Sequence, residues 1–174
     1  MLSEIFRAAV SLVQSPITAY DALLTKHPFK LVRRIVILSM TPILAVYVAG
    51  SWDGPLRYIL VAFTPLFSLL SWILQAGILT LFTRIMGSKG SFRTNLLIFG
   101  YAQSPMLMLL PALLLPLGFL YLLTAVLNTW SVFFLYIGLA RGHQLSRGRQ
   151  FFVLLGSQFL LPALAVSIVL LLSH

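Results

Sequence analysis

Apolar residues along this chain gather into five long runs separated by short polar gaps. An apolar stretch of roughly twenty residues, rising about 1.5 Å per residue, crosses the ~30 Å hydrocarbon core of a bilayer. It must be helical there, because lipid offers its backbone groups no partners. The runs predict membrane-spanning helices over Leu31–Gly50, Leu56–Phe82, Leu96–Leu115, Leu117–Ala140 and Phe151–Leu172. The third and fourth are nearly continuous, so Pro116 and Gly118 must form a tight hairpin between them. In the first, Arg33 and Arg34 precede the uncharged part and raise their charged heads to the headgroup level while their stems extend the apolar run. The second is longer than a bilayer needs and should tilt, kink at Pro65 or protrude. The predicted class is all-α, a polytopic bundle of five transmembrane helices over residues 31–174 behind an amphipathic segment over residues 1–30.

In that leading segment Leu2, Ile5, Phe6, Ala9, Leu12 and Val13 recur at helical spacing and line one face of a short helix, which is expected to lie along the membrane surface. Gln14 and Ser15 interrupt it. Ser15 can cap and Pro16 can open a further helical stretch through Leu24, which His27-Pro28 ends.

Composition agrees with the pattern: the chain of 174 residues is 60% hydrophobic with only three acids, too little polar surface for a water-soluble domain. Charge adds orientation. Arg7, Lys26, Lys30, Arg33 and Arg34 precede the first span; Arg84, Lys89 and Arg93 lie between the second and third; Arg141, Arg147 and Arg149 lie between the fourth and fifth. These regions share one side of the membrane, which the retention of cations makes the cytoplasmic one, while Arg57 and Asp53 lie opposite. The N-terminus is then cytoplasmic and His174 outside. No cleavable signal is visible, so the first span is expected to direct insertion. Cysteine is absent, which removes disulfides and thiolate metal sites.

Lys26, Lys30, Arg33, Arg34, Arg141, Arg147 and Arg149 are candidate contacts for acidic lipid or a partner protein. The alternative is that they serve only to orient the chain, since each cation beside an anionic leaflet contributes about 1 kcal/mol whatever else it does. A net charge of +9 divided among short loops does not indicate nucleic acid. No carboxylate, histidine or lysine lies well inside the spans, and Gln75, Gln103, Asn128 and Gln158 are the candidate intramembrane polar contacts. Such amides either hydrogen-bond across helices or face a polar path. Span serines have no acid or base beside them at depth, and Gly87-Ser88-Lys89-Gly90 reads as a turn rather than a phosphate loop. Catalysis, cofactors and metals are therefore not expected. Prolines 42, 65, 105, 111 and 162 predict kinked helices, with the third span the most irregular.

Three patches resemble the Yip family, the Ypt/Rab-interacting membrane proteins that share the so-called Yip-one domain. One is Gly90-Ser91-Phe92-Arg93 followed by Gly100-Tyr101-Ala102-Gln103-Ser104-Pro105, similar to that domain's Gly-rich turn and the start of its third span. Another is Trp130 with Gly138-Leu139 and His143, similar to the close of its fourth span; the last is Ser15-Pro16 in the lead-in. The resemblance implies five spans with a cytoplasmic N-terminus. Its eukaryotic members carry a longer cytoplasmic region than the thirty or so residues here, so a compact prokaryotic-type member, for which the resemblance implies no established activity, is expected.

The functional reading is a non-catalytic integral membrane protein acting by protein or lipid contacts in membrane organisation, trafficking or complex assembly. It is expected in a bacterial inner membrane, with lipids, other membrane proteins and further copies of itself as candidate partners. The alternative is a small oligomeric channel or lipid/solute transporter.

Overall fold

Prolines open some helices of this chain and lie inside others: Pro16 opens one, whereas Pro42 and Pro65 lie within two long ones. The computed structural model describes residues 2–26, 28–51, 54–112 and 116–172, with the side chains of residues 2, 43, 46–51, 57, 117, 160–162, 164–166 and 168–172 excepted. Asp53, His27, His174, the Arg57 side chain and the end of the predicted third span lie outside the described residues. The elements are α1 (Leu2–Gln14), α2 (Pro16–Lys26), α3 (Phe29–Ser51), α4 (Leu56–Ile85), α5 (Phe92–Ala102), a 3-10 turn (Ser104–Met108), α6 (Leu109–Ala112), α7 (Leu117–His143) and α8 (Arg147–Leu172). The described residues are helical throughout, apart from turns and links.

A proline inside a helix leaves the carbonyl four residues earlier without its amide donor. At Pro65 the freed carbonyl is that of Val61, and the Thr64 hydroxyl donates to it at 2.8 Å; α4 therefore continues through Pro65 to Ile85. At Pro105 the freed carbonyl is that of Tyr101, and the Ser104 hydroxyl donates to it at 2.6 Å. Here the backbone does not recover an α-helical path but tightens into the 3-10 turn.

The predicted third span is thus corrected: Leu96–Leu115 is not one helix but α5, a turn and the short α6. Apolar length alone could not register the break. α5 occupies the centre of the bundle, where Asn95 and every residue from Leu97 to Ala102 are buried against α2, α3, α4 and α7.

α4 and α7 are long and apolar enough to cross a membrane, over Tyr58–Ile85 and Gly118–His143. Only 22% and 33% of their most apolar stretches are buried inside the protein, so neither is the enclosed core helix of a water-soluble fold. Their uncovered faces carry Leu66, Leu70, Ile73, Leu74 and Leu81 on α4 and Phe119, Leu122, Val126 and Phe133 on α7. Surfaces this apolar call for lipid or another protein rather than water.

The amphipathic segment packs into the bundle. Ile5 and Leu12 of α1 and Tyr20 and Leu23 of α2 are buried in the same core as α3, α5 and α7. Tyr101 donates its hydroxyl to the Ala8 carbonyl at 2.9 Å and meets Tyr20 edge to face at 5.5 Å. Phe6, Val10, Val13 and Ile17 remain exposed on the outer side.

Candidate functional site

Cations from distant parts of the chain gather at one end of the bundle. Lys30 and Arg34 open α3, Arg93 opens α5, and with Phe29, Pro28, Leu31 and Glu4 they surround a cavity of about 630 Å³. The Arg93 guanidinium lies 4.7 Å over the Phe29 ring, which fixes it by cation–π attraction. Arg34 approaches Glu4 at 4.0 Å, an exposed pair of little stabilising value that leaves the charge available. At the same end Arg141 grips Asp21 through two bonds of 2.8 and 2.6 Å, joining α7 to α2. The guanidinium holds the Asp21 carboxyl below its usual range. Arg149 donates to the Met86 carbonyl at 3.1 Å, tying α8 to the end of α4. Lys26, Arg33 and Arg147 are exposed, Lys26 beside a second cleft of about 440 Å³ that reaches Ser11 and Tyr101.

A buried polar network holds this end together. Asn95 donates to the Thr80 and Thr83 hydroxyls at 3.0 and 3.4 Å, so its carbonyl oxygen must be the partner of His143 Nε2 at 2.6 Å. That makes Nε2 the protonated nitrogen and Nδ1 the acceptor. Nδ1 receives the Ser88 hydroxyl at 2.7 Å, while the same oxygen accepts the Gly90 amide at 3.0 Å. The tautomer follows from the bonding pattern. Gly87, at φ +83°, turns the chain into this arrangement. A Cβ on Gly90 would run into the His143 ring, so only glycine lets the loop close over it. Sequence reasoning met His143 only within the patch that closes the fourth span and passed over Asn95; the structure makes them the hub of three elements.

At the level of mid-helix α7 lies a second feature. Gln75 from α4, Gln103 after α5, Asn128 from α7 and Gln158 from α8, scattered in sequence, line one cavity of about 130 Å³ together with Ser131, Met40 and Phe99. The expected cross-helix bonds between these amides are not what the described residues display. Gln75 reaches Ser71 on its own helix at 3.3 Å, and Gln103, Asn128 and Gln158 line the cavity with no described hydrogen bond. Ser131 is 4% exposed and its hydroxyl is an orphan among the described residues. The lining is polar and uncharged, suited to a neutral hydrogen-bonding group rather than an ion.

The motif residues act mostly as packing. A Cβ on Gly100 would stand 2.5 Å from Val32 Cγ1 and 2.8 Å from Trp72 Nε1, and one on Gly138 would stand 2.6 Å from Ile98 Cγ2. Ala102, Pro105 and Leu139 are buried, whereas Phe92 and Trp130 are exposed. No curated protein and no solved structure matches the chain. Residues 10–170 match the model of the Yip1 domain. That match spans every element from the end of α1 to α8, including the glycine-packed α5, so the chain belongs to the Yip1 domain family and is a membrane protein of the Yip type.

Proposed function

We propose that this protein is non-catalytic and works by contact, holding anionic lipid at its basic end and presenting that end to partner membrane proteins in membrane organisation or complex assembly. The observation that carries the reading is the cavity in which Lys30, Arg34 and Arg93 face one acid, Glu4. A phosphate matches such a group: arginine offers paired donors, lysine a mobile charge, and the Phe29 ring keeps Arg93 in place. In this reading α3, α4, the broken α5–α6 segment, α7 and α8 all cross the bilayer, with the N-terminus cytoplasmic, the C-terminus outside and a bacterial inner membrane as the setting. The engagement of both His143 nitrogens in structural bonds supports a role without catalysis.

The test is native mass spectrometry of the protein released from mixed phosphatidylglycerol and phosphatidylcholine micelles. Removing one cation, as Lys30→Gln, Arg34→Gln or Arg93→Gln, is expected to lower phosphatidylglycerol affinity roughly fivefold, from about 1 kcal/mol per charge. Equal retention of both lipids by the unaltered chain would refute the reading. A second reading, passage of a small polar solute, draws on the neutral amide-lined cavity. Solute flux into reconstituted vesicles, abolished by Gln75→Leu or Gln103→Leu, would establish it in place of the first.

A further inference from the structure

α7 leaves an amide, Asn128, exposed near the middle of its apolar length. Hydrocarbon offers that side chain no hydrogen bond, and no described residue does either. Its surroundings are spaced for helix pairing. Tyr121, Ala125, Asn128 and Val132 are all exposed and recur at steps of four, three and four, the repeat of a left-handed helix-pair seam. Ala125 is small enough to let two backbones approach. Beside this seam opens the cavity of about 130 Å³, with its free amides and the orphan Ser131 hydroxyl. At roughly 30 Å³ of liquid volume per water, that space takes about four waters, or one terminal amide with room to orient.

Asn128 stands at the mouth of that recess, at once exposed and part of its lining, so one surface presents an unpaired amide and a polar recess together. A two-fold axis passing beside Asn128 would bring each amide opposite the recess of the other copy, the self-complementarity that an isologous contact requires. We propose that the chain forms a two-fold dimer within the membrane through α7, in which Asn128 of each copy completes the amide cavity of the other. The occupant is a second copy because key and recess lie on the same face, and it is uncharged because the lining is.

Because the chain has no cysteine, single cysteines report the contact cleanly in native membranes. Ala125→Cys should form a disulfide-linked dimer on mild oxidation, whereas Val126→Cys, exposed on another side of α7, should not. Adding Asn128→Leu to Ala125→Cys should weaken self-association about tenfold when the vesicles are diluted with lipid, and Asn128→Gln should preserve it. The proposal is overturned if Ala125→Cys stays monomeric, links to a different membrane protein, or links no better than Val126→Cys. It is also overturned if Asn128→Leu leaves the association unchanged. Ala125→Cys keeps the test decisive should the leucine variant fail to accumulate, and none of these outcomes depends on lipid retention at the basic end.

Discussion

Asn95→Leu is expected to lower folding stability by about 3 kcal/mol, because it strands buried polar groups rather than removing a contact of average strength. Leucine has nearly the shape of asparagine, so little packing volume changes. What changes is that the Nε2 proton of His143, buried at the end of α7, loses its acceptor, and the Thr80 and Thr83 hydroxyls lose the donor that joins α4 to α5. His143→Leu should be comparably harmful, since it leaves the Asn95 carbonyl and the Ser88 hydroxyl without their partner. The double variant should then cost about 1–2 kcal/mol less than the sum of the two, because each single change already forfeits the shared bond. Denaturant titration in mixed micelles, followed by far-UV circular dichroism, measures all three. Strict additivity, or a loss under about 0.5 kcal/mol for Asn95→Leu, would show that the network does not secure the basic end. The same substitution should reduce phosphatidylglycerol retention, because Arg93 precedes Asn95 by half a helical turn and depends on α5 for its place over Phe29.

The long helices were legible from apolar length, and their ends were misjudged in a consistent direction. α4 runs on to Ile85, α7 to His143, and α8 begins at Arg147, each passing the charged residue at which an apolar run stops. Arg84, Arg141 and Arg147 are all exposed at the basic end, so each cation extends its helix without a burial cost. Pro105 and Pro111 marked the third segment as the most irregular, but its apolar length still read as one kinked helix rather than as α5, a turn and α6. The hydroxyl-proline pair could not settle the matter, since at Thr64-Pro65 the same carbonyl bond accompanies an unbroken helix. The amides could be picked out as polar residues in apolar runs, yet periodicity says nothing of which helices meet, so their convergence on one cavity required the fold. The network was least visible: Ser88 and His143 are 55 residues apart, and neither is unusual alone. Arg93 entered as a marker of orientation and as part of the Gly90–Arg93 patch but not as a binding residue, because its cation–π partner, Phe29, lies on another helix.

Gly100→Ala and Gly138→Ala should each cost about 2 kcal/mol by overpacking, an unusual result for a substitution that ordinarily strengthens a helix by up to about 1 kcal/mol. The reason lies in what surrounds them. A Cβ at Gly100 would press on Val32, Val36 and the Trp72 indole, and Trp72 cannot swing away without breaking its bond to the Leu96 carbonyl at 2.8 Å. A Cβ at Gly138 would press on Ile98 and the Tyr20 ring, which is itself wedged edge-on against Tyr101. Between them the two glycines let α5 sit against α3 and α4 on one side and let α7 close over α5 and α2 on the other, so extra volume at either displaces the central helix. Gly118 and Gly148 supply the control, because a Cβ at either meets nothing within 4 Å; Gly118→Ala and Gly148→Ala should be neutral or mildly stabilising. Thermal unfolding in micelles separates the two classes. Combining Gly138→Ala with Ile98→Ala should cost less than the sum, since the deleted side chain vacates the space that the new methyl needs. Equal tolerance at all four glycines would mean that close backbone approach around α5 does not hold the bundle together, and interhelical hydrogen bonds such as those of Asn95 and Trp72 would have to carry its stability instead.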